Sequence, residues 1–229
     1  MTRNPGRFAG SLYVLTSIPG AFAMIYVPGK LIVNGNAAAT AANLVASATL
    51  WRLGIVAQVL SEAGFIFVAL ALYDLFKEVN RRHAALMMGL IVLSIPIAFL
   101  NELNSVAALL LARGIDFLAI FEKPQREALS MLFLNLHNAG FGLAELFWGL
   151  WLFPLGALVY HSRFLPRFLG IWLILGGVGF VVLSVTTVAW PQYQGRVFTY
   201  TQPGRIGEAV FMLWLVIKGA RPKPLAAGT

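Results

Sequence analysis

Four ionisable side chains lie well inside long apolar stretches of the sequence. They are Glu62, Glu102, His137 and Glu145. A charge at the centre of a lipid bilayer costs at least ~2.5 kcal/mol, so such residues face the interior of a helix bundle, pair with another group or carry a proton. Their chemistry suits a ligand site, a proton carrier or a metal site, and these residues are where a function would reside.

Three of these residues are predicted to lie at one depth. Glu62 is about eleven residues from the start of its apolar stretch, Glu102 about ten from the end of the next, and His137 about eight from the start of the third. At about 1.5 Å of rise per residue, these depths agree to within one helical turn. Glu145 is predicted to lie about two turns deeper.

Further polar residues surround this level. Gln58 is one turn before Glu62, and Asn101 adjoins Glu102. We predict an outward-facing cavity, and its candidate ligand or proton residues are Gln58, Glu62, Asn101, Glu102, His137, Asn138 and Glu145, with Arg52 and Glu208 near its mouth. Two alternatives stay open: the network only pins helices together, and Arg52 only anchors its helix at the lipid headgroups rather than pairing with Glu208 or an anionic ligand.

The composition indicates the fold that must position these residues. Of 229 residues, 59% are hydrophobic and 11% charged, against about 25% charged in soluble domains. We predict one all-α membrane domain over residues 1–229, a polytopic transmembrane helix bundle of about six spans at residues 8–27, 51–76, 84–112, 129–160, 164–189 and 202–219. Asn36 is predicted to cap an amphipathic helix in the first outer loop, at about residues 37–50.

The basic residues predict the orientation. Ten of them are predicted to lie on one side of the membrane and seven on the other. By the positive-inside rule, this asymmetry puts both termini in the cytoplasm. The ten are Arg3, Arg7, Lys77, Arg81, Arg82, Arg163, Arg167, Lys218, Arg221 and Lys223. The net charge of +8 is spread between apolar stretches rather than along one stripe, so it indicates topology and the lipid bilayer as partner, not nucleic acid. Cysteine is absent, which excludes disulfides and thiolate metal sites.

Several short motifs are shared with a known family. They are the alanine-rich loop from Asn34 to Asn43, the segment from Leu50 to Val56, the Leu-x-Leu-His element ending at His137, and the Leu-Pro-Arg-x-Leu-Gly turn from Leu165 to Gly170. Over roughly residues 7–190 the chain resembles a bacterial membrane family known as domain of unknown function 4386. The resemblance implies a multi-pass protein of the bacterial inner (cytoplasmic) membrane and supplies no activity.

Three functions remain open at this stage. The first is binding of a small ligand by an accessory or sensor protein, and the second is proton-coupled transport of a small molecule. The third is a metal-dependent membrane enzyme, in which Glu62, Glu102 and His137 hold a divalent transition metal. Whether the protein is an enzyme is left open, and a homodimer or a larger membrane complex is compatible with each function.

Overall fold

The computed structural model of the chain describes residues 4–222, and helices make up nearly all of them. Arg3 and Lys223, two of the residues in the predicted charge asymmetry, lie outside the described residues. No β-strand occurs within residues 4–222. Since a helix pairs every interior backbone N–H and C=O within its own segment, it suits a chain that crosses lipid. The predicted all-α membrane fold is confirmed.

The helices follow the predicted apolar stretches. In chain order they are α1 (Pro5–Ala21), a π-helical turn (Phe22–Tyr26), α2 (Val27–Leu31), α3 (Ala37–Ala46), α4 (Ala48–Phe76), α5 (Arg81–Arg113), a 3-10 turn (Asp116–Leu118), α6 (Lys123–Leu150), α7 (Leu152–His161), α8 (Arg167–Ala189), a 3-10 turn (Pro191–Tyr193) and α9 (Gln194–Ile217).

Within the described part of the chain, five helical stretches are long and apolar enough to cross a membrane. They are Pro5–Leu31, Ala48–Phe76, Arg81–Arg113, Lys123–His161 and Arg167–Ala189. Large apolar side chains on these stretches are exposed, as lipid-facing residues are; Leu60 is 61% exposed and Leu100 is 67% exposed. Helix α9 is 24 residues long but is not among the five, because Arg196, Arg205 and Glu208 interrupt its apolar character. A sixth crossing at residues 202–219 stays a prediction.

Two prolines coincide with irregular helix geometry. A proline lacks a backbone N–H and clashes with the preceding turn, so the local hydrogen-bond ladder must change. Pro19 lies in α1 just before the π-helical turn, and Pro154 lies in the first turn of α7, just after α6 and α7 separate at Trp151. Both breaks fall inside candidate spans.

The described chain divides into two compact units. Unit 1 comprises residues 4–15, 64–94 and 142–222, and unit 2 comprises residues 16–63 and 95–141. Helices α1, α4, α5 and α6 each contribute residues to both units. The units are described separately below.

Unit 2 is built around an apolar core. Polar side chains attach the first loop to this core. The core comprises Val27, Leu31, Leu44, Trp51, Ala108, Leu109 and Leu134. Helix α3 begins with the predicted cap, in which the Asn36 side chain accepts from Ala39 N at 2.9 Å. It ends at Ala46 rather than near residue 50, because Ser47 leaves helical geometry. Thr40 forms hydrogen bonds with both backbone groups of Val33, so its side chain fastens α3 to the loop that precedes it.

In unit 1, glycines let helices approach closely. A Cβ on Gly177 in α8 would lie 2.8 Å from the carbonyl oxygen of Gly149 in α6, and a Cβ on Gly176 would lie 2.9 Å from that of Gly204 in α9. Such contacts are tighter than packed carbon and oxygen atoms tolerate. Small residues therefore permit the backbone contacts on which helix association in lipid depends.

Candidate functional site

Helix α5 presents three polar residues to α6 within unit 2. Asn101, Glu102 and Ser105 are each more than 90% buried, and their spacing places Asn101 and Ser105 one turn apart. Asn101 Nδ2 donates to the carbonyl oxygen of His137 at 2.9 Å. Gly140 makes this approach feasible, because a side chain there would collide with the Asn101 amide. The sequence therefore brings the two helices together around His137.

The ring of His137 lies between a carbonyl group and a carboxylate. Its Nδ1 lies 3.3 Å from the carbonyl oxygen of Asn101 and 3.1 Å from Ser105 Oγ. Since a carbonyl oxygen only accepts, Nδ1 carries the proton, and Nε2 of the neutral ring is an acceptor. Nε2 lies 3.8 Å from Glu102 Oε1. At 3.8 Å the two atoms are too far apart for a direct hydrogen bond, and they form an ion pair only when the ring is protonated and the carboxylate is ionised.

A second pair of polar residues in unit 2 lies on α4. Gln58 Nε2 donates to Glu62 Oε1 at 3.0 Å, and both residues are more than 90% buried. Gln58 Oε1 is buried and has no hydrogen-bond partner. Glu62 lies on α4 and Glu102 on α5, and both residues belong to unit 2. None of the ion pairs within residues 4–222 involves Glu62. We call Gln58, Glu62, Asn101, Glu102 and His137 the acceptor-rich site.

Unit 1 holds a different group of buried polar residues. Arg205 Nη2 lies 3.4 Å from Glu145 Oε1, and each side chain is 14% exposed. One turn along α9, Glu208 accepts a hydrogen bond from the Tyr13 hydroxyl. The guanidinium of Arg205 also lies over two aromatic rings, 4.4 Å from the centroid of Phe180 and 4.9 Å from that of Phe198. We call Tyr13, Glu145, Arg205 and Glu208 the arginine cluster.

The arginine cluster leaves donors rather than acceptors unpaired. Arg205 Nε and Nη1 are buried and have no hydrogen-bond partner. The ring faces of Phe180 and Phe198 offset part of this cost, because an aromatic face attracts a cation. An ion pair and cation–π contacts in a buried setting hold α6, α8 and α9 in register.

Comparison with known proteins identifies the family. A sequence model described as domain of unknown function 4386 matches residues 8–219. The chain belongs to this family. It is also similar to an uncharacterized protein of the archaeon Archaeoglobus fulgidus, with 32% identity over 79 residues, which is 34% of this chain. The chain spans about half the length of that relative, 46% of it. No solved structure matches the chain.

Family membership confirms the resemblance seen in the loop motifs, and the structure places the predicted residues in three settings. Gln58 and Glu62 form a pair in unit 2, and Asn101, Glu102 and His137 form a second group in the same unit. Glu145 and Glu208 lie in the arginine cluster of unit 1. Arg52 and Asn138 are exposed. Glu208 takes Tyr13 as its partner rather than Arg52, and an exposed Arg52 fits the interpretation as a membrane-surface anchor.

The structure does not bring the three predicted metal ligands together. Within residues 4–222 no group of three or more His, Cys, Asp or Glu side chains is arranged to hold a metal ion. Glu62 bonds Gln58, and only Glu102 and His137 approach each other, so the three predicted ligands do not converge on one point. A metal at Glu62, Glu102 and His137 stays a prediction that these contacts do not support, since equal depth on three helices does not fix the direction of a side chain.

Three contributors to these groups were not among the predicted site residues. Ser105 supports the His137 ring, Tyr13 donates to Glu208, and Arg205 is the cation of the arginine cluster. Arg205 could have been found from the sequence, because an arginine inside a predicted membrane span needs a counter-charge. Tyr13 carried no such signal, since one tyrosine in an apolar stretch does not indicate its partner.

Proposed function

We propose that this membrane protein binds a small cationic hydrogen-bond donor, such as a protonated amine, at the acceptor-rich site of unit 2. Such a protein acts as a ligand-binding accessory or sensor module. The proposal rests on buried carboxylate and amide oxygens that exceed the donors supplied by the chain. A small ammonium group offers both the positive charge and the N–H donors that these oxygens need.

The observation that carries the proposal is the buried Gln58 Oε1, which has no hydrogen-bond partner and lies beside Glu62. A buried acceptor without a partner costs about 1–3 kcal/mol. A ligand N–H would recover that free energy on binding. Glu62 would supply the counter-charge, because no lysine or arginine in the described residues pairs with it.

The test measures thermal unfolding of the detergent-solubilised protein with n-butylammonium, n-butanol or n-butyrate. We expect stabilisation by butylammonium alone, and loss of the effect in Glu62→Gln and Gln58→Met. Asp116→Asn serves as the control, because Asp116 is an exposed carboxylate outside the site. Native mass spectrometry of the purified protein then identifies any retained amine. Equal stabilisation of wild type and both variants would overturn the proposal.

The Glu102–His137 pair favours a second function, proton-coupled transport. A proton taken up at Glu102 or His137 neutralises or creates a charge beside the ligand and so changes its affinity. The test uses proteoliposomes that contain a pH-sensitive dye and imposes a butylammonium gradient. Amine-driven proton flux that His137→Gln abolishes supports transport. Saturable binding with no flux in the wild type leaves the sensor function.

We also propose that the protein resides in the bacterial cytoplasmic membrane with both termini inside. The positive-inside asymmetry supports this orientation. The absence of native cysteine permits a direct test with single-cysteine variants in intact cells. We expect a membrane-impermeant maleimide to label Asn36→Cys and not Glu78→Cys. The reverse pattern would invert the topology.

A further copy of the chain is proposed as a partner in a homodimer or larger complex. Large apolar side chains on the candidate spans, such as Leu60 and Leu100, are available to a second membrane helix as well as to lipid. Mass photometry in lipid nanodiscs distinguishes contact with a second copy of the chain from contact with lipid alone. Particles of monomer mass at every protein-to-lipid ratio would contradict the proposal.

A further inference from the structure

Unit 1 contains a cavity that belongs to neither group of buried polar residues. Its volume is about 260 Å³, and it is lined by Val79, Asn80, His83, Ala157, Leu158 and His161. Two of the three histidines in the chain therefore share one cavity. One wall comes from the turn between α4 and α5 together with the start of α5, and the other from the end of α7.

Local hydrogen bonds hold both histidine-bearing segments. Asn80 Oδ1 accepts from the backbone N–H of His83 at 3.0 Å. Nδ1 of His161 lies 2.8 Å from the carbonyl oxygen of Ala157 and donates to it. Nε2 of His161 is therefore the ring nitrogen left for a ligand. It binds a cation when the ring is neutral and an anion when the ring is protonated.

The surrounding charge decides between these two ligand classes. Five basic residues lie on or next to the two segments that form the walls of the cavity. They are Lys77, Arg81, Arg82, Arg163 and Arg167. The nearby carboxylates are Asp74 and Glu78, and Asp74 pairs with Lys77 at 2.7 Å. No lining residue is acidic. The summed field repels a divalent cation and attracts an anion.

Arg163 places a cation at a backbone position that suits glycine better. Its φ is 58°, and among the described residues it alone has a positive φ without being glycine. The chain turns here after α7, at the kind of left-handed position that glycine usually occupies. An arginine therefore costs backbone free energy at this point, two residues after His161. In this conformation Arg163 adds a positive charge to the turn that follows His161.

We propose that this cavity binds a phosphate group, carried either by inorganic phosphate or by the headgroup of an anionic phospholipid. His83 and His161 contact the phosphate oxygens as hydrogen-bond donors. The arginines of the two flanking segments supply the attracting charge, and Asn80 fixes the turn that presents His83. This site is independent of the amine-binding function proposed for unit 2.

The first experiment compares ligands. Isothermal titration calorimetry in detergent measures inorganic phosphate, and native mass spectrometry compares retention of phosphatidylglycerol with that of phosphatidylcholine. We expect binding of phosphate, selective retention of phosphatidylglycerol, or both; the pattern identifies the source. In the double variant His83→Ala/His161→Ala, affinity should fall about tenfold or more. Arg196→Ala is the control, because Arg196 is an exposed cation outside the two segments that form the walls of the cavity. This variant should bind phosphate with the affinity of the wild type.

The second experiment separates charge from folding. Arg163→Gly removes the cation and relieves the backbone, so we expect weaker anion binding at equal or higher thermal stability. Affinity equal to wild type in both Arg163→Gly and the double histidine variant would overturn the proposal. So would binding of one Zn²⁺ that requires both histidines, with no binding of phosphate or phosphatidylglycerol.

Discussion

The two groups of buried polar residues contain similar residue types but leave opposite atoms without partners. In unit 2, the acceptor-rich site leaves Gln58 Oε1 unpaired and gives Glu62 no cation. In unit 1, Arg205 pairs with Glu145, and its unpaired atoms are the donors Nε and Nη1. A carboxylate with its own arginine already has its counter-charge, whereas one without it is available to a ligand. We therefore interpret Glu145 as structural, whereas ligand binding at Glu62 is the function proposed above.

The largest effect is expected where the arginine cluster loses its carboxylate. Glu145→Leu leaves Arg205 charged and buried, because a guanidinium stays protonated in proteins. The free energy of unfolding should fall by about 3 kcal/mol, measured by denaturant unfolding in detergent. The double variant Glu145→Leu/Arg205→Leu should recover most of that loss. A single variant as stable as wild type would show that the ion pair does not hold unit 1 together.

A smaller effect is expected at Thr40, a buried polar residue whose partners are all within the chain. Its Oγ1 lies 3.0 Å from Val33 N and 3.2 Å from Val33 O, and the residue is 1% exposed. Thr40→Val removes both bonds while keeping the shape of the side chain. We expect a loss of about 2 kcal/mol in the same unfolding assay. Thr199→Val is the matched control, because Thr199 is exposed, and it should change little.

Glu62→Leu makes the direct comparison with Glu145→Leu. The substitution is the same, but Glu62 has no arginine to leave behind, so the cost should be about 1 kcal/mol, mainly for the lost bond to Gln58. Binding of the ammonium ligand should be lost completely. A cost equal to that at Glu145 would mean that Glu62 is as structural as its counterpart and would remove the basis for the comparison.

The sequence predicted the fold better than it predicted the contacts of the site. Apolar length and charge composition sufficed for the all-α membrane fold, because lipid leaves few alternatives. Counting residues from the ends of the apolar stretches predicted one level for Glu62, Glu102 and His137, and that level stays a prediction, although all three residues belong to unit 2. The same count put Glu145 about two turns deeper, but the prediction still assigned Glu145 and Glu208 to the same cavity, and it did not find Tyr13. Which helices face each other depends on tertiary contacts, such as Gly140 against Asn101, that a single sequence does not encode locally.

The smallest effect on stability, and the most informative one, is expected from Gln58→Met. Methionine keeps the length of the side chain, removes the unpaired Oε1 and also removes the donor to Glu62. The gain from removing a buried unpaired acceptor offsets the loss of one hydrogen bond, so the free energy of unfolding should change by roughly 0–1 kcal/mol in either direction. Affinity for butylammonium should nevertheless fall about tenfold. A large loss of stability with unchanged affinity would show that Gln58 Oε1 has a partner within the protein, and the two units would then no longer differ in what they leave open to a ligand.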